Sequence, residues 1–348
     1  MKILYAIQGT GNGHLSRARD IIPILKKKGE VDILVSGIQA DVSLPFVIKY
    51  KFKGLSFVFG KNGGVDIVST YLKMDLRELS NDITKIPIEN YDLIINDFEP
   101  ITAWACKNKG LQCIALSHQS AVLAKKAPKP RKKDPLGKIV LKYYAPTTAQ
   151  YGFHFSKFDK NIFTPVIRKE VRDLIPENKR HYTVYLPAYD DERLLKNLKK
   201  FKSTKWEVFS KHNRKIIIED NITIQPINNE AFLKSMANCK GVLCGAGFET
   251  PAEALFLKKK LMVIPMKTQY EQQCNAAALK KMGVPVIKSL KSKFHDEIKE
   301  WLEYGKTIPV DYPDITEQII DSIIAEHYKR KIYIPNFKLN ESFSAVRV

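Results

Sequence analysis

The chain has 348 residues, 44% of them apolar, with 17 glycines and 18 prolines, the profile of a folded globular protein with room for two domains, neither disordered nor fibrous. No apolar run approaches the roughly 20 residues of a membrane-crossing helix, and Met1 to Gly9 is too short and too soon followed by glycines for a signal peptide, so a cytoplasmic location is expected. Net charge is +20, and the five cysteines (106, 113, 239, 244 and 274) and seven histidines show neither Cys-x-x-Cys nor His-x-x-x-His spacing, so the thiols read as small apolar fillers and no metal is expected.

Lys2 to Gln8 reads as a buried strand and Gly9-Thr10-Gly11-Asn12-Gly13 as the turn after it. From His14 a helix carries Leu15, Ala18, Ile21, Ile22 and Leu25 on one face and ends at Lys26-Lys27-Lys28-Gly29. Val31 to Val35 completes a strand-helix-strand unit of about 30 residues, the mark of a parallel, doubly wound sheet. Asp92 to Asn96 and Gln112 to Leu116 repeat the strand pattern. Between Gln119 and Tyr144, Lys125, Lys126, Lys129, Arg131, Lys132, Lys133, Lys138 and Lys142 stand against one acid, Asp134. This segment is either a solvated loop or a contact surface for an anionic membrane or acceptor. Nucleic acid is not expected, because prolines interrupt the segment and no aromatic residues interleave its cations.

After Phe163-Thr164-Pro165 and the helical-looking Arg168 to Leu174, strands at His181 to Leu186, Trp206 to Phe209, Ile222 to Gln225, Gly241 to Cys244, Leu261 to Ile264 and Val284 to Ile287 alternate with helices at Asp191 to Phe201, Asn229 to Cys239, Thr250 to Leu257 and Glu271 to Met282. The expectation is an α/β protein with two Rossmann-like doubly wound parallel sheets facing a cleft. The expected domains are residues 1–165 and 166–325, with a final helix at Ile315 to Tyr328 and a tail over 326–348, polar from Lys329.

The spacing Gly9-x-Gly11-x-Gly13 is not G-x-G-x-x-G, and the second strand ends in Ser36-Gly37 without a ribose-binding acid, which disfavours NAD. The absence of a following Lys-Ser/Thr excludes a Walker-type loop. What remains is a glycine turn presenting His14 at a helix N-terminus, as a substrate or phosphate contact or as a packing residue. In Asn96-Asp97-Phe98-Glu99-Pro100, Asp97 or Glu99 caps the next helix, or one of them orients His14 or serves as a general base. A metal-binding role there is disfavoured, since no further carboxylates cluster nearby. His118, after another strand end, borders the cleft or serves structure alone.

The most specific stretch runs from Cys244-Gly245-Ala246-Gly247-Phe248-Glu249-Thr250-Pro251-Ala252-Glu253 through Val263-Ile264-Pro265 to Gln269-Tyr270-Glu271-Gln272-Gln273-Cys274-Asn275. It reads as strand, glycine turn, helix N-terminus with carboxylates, second strand, and a polar loop opening another helix. Glycines let backbone N–H groups approach a diphosphate at the positive end of a helix, and a carboxylate one turn in accepts from ribose hydroxyls.

These residues resemble the GT-B glycosyltransferases, particularly the branch containing the bacterial N-acetylglucosaminyltransferase MurG and related family 1 and 28 proteins, over nearly the whole chain and most strongly from Gly241 to Gly283. The resemblance implies that the C-terminal domain binds a nucleotide-sugar donor and the N-terminal domain an acceptor. It implies that Glu253 holds the uridine ribose, that Gly245, Ala246, Gly247 and Phe248, with Glu249 and Thr250, form the diphosphate turn, and that Gln269, Gln272 and Gln273 lie near the sugar. Ile227 falls where relatives contact uracil through backbone groups. Gly11, Gly13 and His14 match the N-terminal glycine loop; Arg17 and His118 would lie on the acceptor side. The family usually spaces its glutamines and asparagine differently, and Lys258-Lys259-Lys260 stands where many relatives carry Gly-x-Pro.

The expected activity is transfer of a sugar from a nucleotide diphosphate, most simply UDP, to a hydroxyl on a lipid or glycan. It would proceed without metal or separate cofactor, with His14, Asp97 or Glu99 in the chemistry, and the enzyme would sit free in the cytoplasm or peripherally at the membrane's inner face. The string Gly11, Gly13, His14 and Arg17 also looks like that of nucleotide-sugar hydrolases, so a hydrolase or epimerase on the same scaffold is the alternative. A basic non-enzymatic protein binding membrane or polyanion is the alternative of another class.

Overall fold

The computed structural model describes residues 1–37, 44–54 and 76–328. Strand β1 (Lys2–Gln8) lies at the centre of the first sheet, with Ile3 to Ile7 wholly buried, as a parallel strand covered on both faces requires. Helix α1 (Asn12–Lys28) packs Leu15, Ala18, Ile21, Ile22 and Leu25 against it, and its last-turn lysines complement the helix dipole. Strand β2 (Glu30–Ser36) pairs with β1 residue for residue, from Lys2 opposite Glu30 to Gln8 opposite Ser36. There follow β3 (Tyr50–Phe52), α2 (Leu76–Lys85), β4 (Leu93–Asp97), α3 (Pro100–Lys109), β5 (Ile114–Leu116), α4 (His118–Leu123), α5 (Pro135–Tyr143), β6 (Ala149–Phe153) and β7 (Ile162–Phe163). The sheet order is β3-β2-β1-β4-β5-β6-β7, parallel throughout.

A single turn, α6 (Lys169–Arg172), leads to β8 (His181–Tyr185), α7 (Asp191–Leu198), β9 (Lys205–Ser210), β10 (Ile217–Glu219), β11 (Ile222–Pro226), α8 (Asn229–Asn238), β12 (Gly241–Gly245), α9 (Glu249–Phe256), β13 (Lys260–Ile264), α10 (Tyr270–Lys281), α11 (His295–Tyr304) and α12 (Thr316–His327). The second sheet has the order β10-β11-β9-β8-β12-β13, parallel except for the antiparallel pair β10–β11. Helix α12 crosses back to the first half: Lys28 bridges Glu317 at 3.0 Å and Asp321 at 2.7 Å, and His327 meets the Tyr151 hydroxyl at 2.8 Å. No described helix is long and apolar enough to cross a membrane.

The two-sheet α/β architecture is the one expected. Three local expectations fail. The basic segment is not a loop throughout, because Asp134 accepts from Gly137 N and Pro135 occupies the first turn, so α5 forms inside it. Val284 to Ile287 makes a single bridge, Val263 to Val286, in place of a strand. Arg168 to Leu174 shrinks to the one turn of α6. The polar tail from Lys329 lies outside the described residues.

Asn96 and Glu99 lock the turn between β4 and α3. Glu99, wholly buried, accepts from Ile101 N at 2.8 Å, Thr102 N at 2.7 Å and the Ser36 hydroxyl at 2.5 Å, while Asn96 exchanges two hydrogen bonds with its backbone. Both carboxylate oxygens of this candidate catalyst are thus spent on capping, and burial raises its carboxyl pKa. Glu99→Ala is expected to lower stability by roughly 2 kcal/mol, through the lost cap and the orphaned buried groups, with Glu99→Gln costing less. Urea unfolding measures this, and equal stability of all three proteins would refute the capping role.

Candidate active site

The C-terminal ends of the parallel strands meet in the middle of the molecule, the region where open α/β sheets hold ligands. On the first-half side, Gly11 holds φ +92 at the N-cap of α1, a conformation that favours glycine. The N-cap, Gly11, has no side chain with which to cap α1, and no acid sits in the first turn, so the positive end of the helix is not neutralised by its own sequence. His14 and Arg17, three apart, project from one face of α1 towards the end of β4. Asp97, last residue of β4 and opposite Ile7 of β1, is fully buried between them. Its Oδ1 lies 2.8 Å from His14 Nδ1, and both its oxygens accept from Arg17 Nη2 at 2.8 Å. The next residue, Phe98, takes a φ of +59, a strained value held by the turn around Asp97. Burial alone would raise the Asp97 carboxyl, but Arg17 and His14 together hold it below the usual range. His14 keeps 12% of its side chain exposed and has Gln119 beside it, whose Nε2 lies 3.3 Å from His14 Nε2.

On the second-half side, β12 ends at Gly245 and α9 begins at Glu249 without a side-chain cap. A Cβ at Gly247 would meet nothing within 4 Å, so the turn borders open space beside the orphan N–H groups of α9. Thr250 lies in that first turn, part-exposed. Glu253, one turn further, is buried, and Arg168 holds both its oxygens, Nε to Oε1 at 2.6 Å and Nη2 to Oε2 at 3.0 Å. Gln272 accepts from Met266 N at 3.0 Å and Gln273 donates to Met266 O at 2.6 Å, so both glutamines brace the loop after β13. The side-chain oxygens of Gln269, Gln119 and Thr10 are buried without a partner. Ile227, just past β11, is 38% exposed.

Contacts across the cleft tie these groups together. Arg17 Nη1 donates to Glu249 Oε1, and a Cβ at Gly13 would lie 3.2 Å from the Glu249 side chain, so the N-termini of α1 and α9 face each other. The His118 ring stacks on Phe248 with centroids 3.8 Å apart and planes 8° apart. Its Nδ1 lies 2.8 Å from Phe153 O and its Nε2 2.8 Å from Asn275 Oδ1, while Asn275 donates to Ala246 O at 3.1 Å. Gln119 Nε2 also donates to Glu271 Oε2 at 3.0 Å. Burial lowers the His118 pKa. Among the described residues no three His, Cys, Asp or Glu side chains gather as a metal site.

The family described as Glycosyl transferase family 1 matches residues 1–304. The chain belongs to that family. Its fold is shared with solved structures of low identity. Arabidopsis thaliana UGT89C1 complexed with UDP is 12% identical with a TM-score of 0.57, covering 94% of this chain and 99% of that one. Acinetobacter baumannii MurG is 14% identical at 0.52, covering 93% and 99%. A UDP-N-acetylglucosamine 2-epimerase is 14% identical at 0.55, covering 97% and 99%. These likenesses establish the GT-B architecture. No curated protein sequence matches the chain.

In this family 1 glycosyltransferase, the first-half candidates, with the second-half residues that face them, fall into three groups. His14, Asp97, Gly11, Gly13, Glu249 and the Gly245 to Phe248 turn come together across the cleft. Arg17 and His118, expected on the acceptor side, are buried, 2% and 1% exposed, and brace the two halves through Glu249 and Phe248. Glu99 is a cap outside the cluster. Arg168, Gln119, Glu271 and Asn275 were not among the candidates. Arg168 stands 85 residues from Glu253, and no local pattern announces so distant a pair.

Glu249 is pushed up to about 7 by burial, with Arg17 pulling against it and Glu253 adding to it. The folded carboxyl keeps its proton to about pH 7, whereas an unfolded one loses it near 4.5, so its contribution to stability is complete below 4.5 and fades as pH rises to 7. Wild type is therefore expected to lose on the order of 2 kcal/mol relative to Glu249→Gln between pH 5 and 8. Urea unfolding of both proteins at the two pH values tests this, and parallel pH curves would refute it.

Proposed function

We propose that the enzyme transfers a sugar from a nucleoside diphosphate, most simply UDP, to a hydroxyl of a lipid or glycan, without a metal. The observation that carries this reading is the pair of uncapped helix N-termini, of α1 and α9, facing each other beside the His14–Asp97 pair. Two positive helix ends facing one another suit a diphosphate, and UDP is the ligand named in the Arabidopsis thaliana UGT89C1 structure.

His14 is the base of this reading. Asp97, fully buried and held ionised by Arg17, is unsuited to take a proton and suited to orient His14 through Nδ1. His14 Nε2 accepts the proton of the acceptor hydroxyl as its oxygen bonds to the anomeric carbon. The bond from that carbon to the diphosphate oxygen breaks, and the electron pair leaves with UDP, stabilised by the α9 N-terminus and the Gly9 to Gly13 loop. Glu253 accepts from the ribose, Ile227 borders the base, and Gln269, with its unpartnered oxygen, accepts from a sugar hydroxyl while Gln272 and Gln273 shape its loop. The residues through 165 hold the acceptor and those from 166 to 325 the donor.

UDP at about 100 times its Kd, with chelator present, is expected to stabilise the protein by roughly 2.7 kcal/mol, read as a melting shift of several degrees. Glu253→Ala, compared with its own UDP-free melting, is expected to lose the shift. Failure of UDP, GDP, TDP and CMP alike to move wild-type melting would overturn the donor site. His14→Ala is expected to retain the shift and lose about 10²-fold or more in turnover. Rapid release of free sugar from a UDP-sugar without acceptor would assign the same dyad to hydrolysis.

A further inference from the structure

We infer that helix α5 docks the enzyme on an anionic lipid surface, with Leu136, Ile139 and Tyr143 entering the headgroup region and the surrounding cations holding the headgroups. This rests on the proposed transfer reaction only in that it names where the acceptor is carried, on a lipid.

The two sides of α5 have different employments. Leu141 and the adjoining Tyr144 are buried against Val122, Phe98 and Cys274, and Gly137 packs so closely on Tyr270 of α10 that a Cβ would fall 2.6 Å from it. Leu136, Ile139 and Tyr143, at i, i+3 and i+7, occupy another face and remain 47%, 44% and 47% exposed. Lys138 and Lys142 form the next row, and Arg131, Lys132 and Lys133 lead into the helix, all of them exposed. The nearest acid in sequence, Asp134, is spent on the N-cap. An exposed apolar row bordered by cations is the arrangement of an interfacial helix, and its charge complements anionic lipid. Nucleic acid fits less well, because the apolar row would stay in water on a phosphate backbone.

The position of α5 gives the docking a use. Tyr144, on its inner side, stacks on Phe98 at 4.8 Å, and Phe98 lies 6.4 Å from the His14 ring. Two ring contacts therefore separate the docking helix from the proposed base, which places His14 on the side of the molecule that α5 would bring to the lipid.

Sedimentation with phosphatidylglycerol and phosphatidylcholine vesicles tests the inference on the full chain. Wild type is expected to partition onto the anionic vesicles and not the zwitterionic ones. Lys132→Ala/Lys133→Ala/Lys138→Ala is expected to weaken binding on the order of 10²-fold, since each cation contributes about 5-fold. Leu136→Ser/Ile139→Ser/Tyr143→Ser is expected to weaken it ten-fold or more. Lys196→Ala/Lys200→Ala/Lys202→Ala, which removes equal charge elsewhere, is expected to leave it unchanged. The UDP melting shift is read for every variant, so loss of vesicle binding with the shift intact isolates the docking surface from the donor site. Equal loss in the control variant, equal binding to both vesicle types, or α5-dependent binding of duplex DNA without vesicle binding would overturn the proposal.

Discussion

The architecture of the cleft depends on one buried cation. Arg17, 2% exposed, touches Asp97 of the first half with Nη2 and Glu249 of the second with Nη1, and its guanidinium lies 5.7 Å from the Phe153 ring centroid. A guanidinium withdrawn from water needs a carboxylate placed to its geometry, and losing Asp97, the fixed anion of the pair, would leave a poorly compensated buried charge at a cost of about 3–5 kcal/mol. The requirement constrains three elements together. Asp97 must sit at the end of β4, α1 must present residue 17 there, and α9 must begin within reach. The strained φ at Phe98 belongs to the same constraint.

That single pairing also arranges the electrostatics. Asp97 is held ionised and orients His14, while Glu249, sharing the same cation but raised by burial to about 7, is only about half-ionised near pH 7. One guanidinium thus divides two carboxylates into a fixed anion and a titratable group. Five helices are capped by a side chain, Glu99 on α3, Ser117 on α4, Asp134 on α5, Asp190 on α7 and Asn228 on α8, whereas α6, α10, α11 and α12 take no such cap from their N-cap residues. At α1 and α9, on either side of Arg17, the N-cap residues Gly11 and Phe248 likewise give no side-chain cap. The N-terminal potential of both helices is therefore directed into the cleft.

Much of this was legible in the sequence because it is local. Strands buried on both faces read as apolar runs, and α1, α9 and α10 read from their spacing and flanking glycines or lysines. His14, Glu249 and the Gly245 to Phe248 turn were visible as residue types placed after strands. Contacts between distant segments were not. Nothing around Arg168 reports Glu253, and nothing around His118 reports that Phe248 and Asn275 will close over it. Glu99 and Asp97 look alike in sequence, and only the Ser36 hydroxyl and the α3 N–H groups separate a cap from a site carboxylate. Helix α5 was obscured by its prolines and lysines, although Asp-Pro at its start is a capping signal when read against the apolar spacing that follows.

The contacts that close the second-half site are suited to exchange. Arg168 occupies both oxygens of Glu253, so in the proposed reaction a ribose taking those oxygens would free a guanidinium within the same pocket, beside the diphosphate charge of the proposed donor. The buried cation is then re-paired without being returned to water, which keeps the cost of exchange below that of breaking an isolated ion pair. Phe248 is stacked on His118 of the opposite half, so the turn and the first half are in direct contact. In the proposed reaction, donor binding and cleft geometry are coupled through these two contacts, while Arg17, engaged with both halves, sets the position to which the cleft returns.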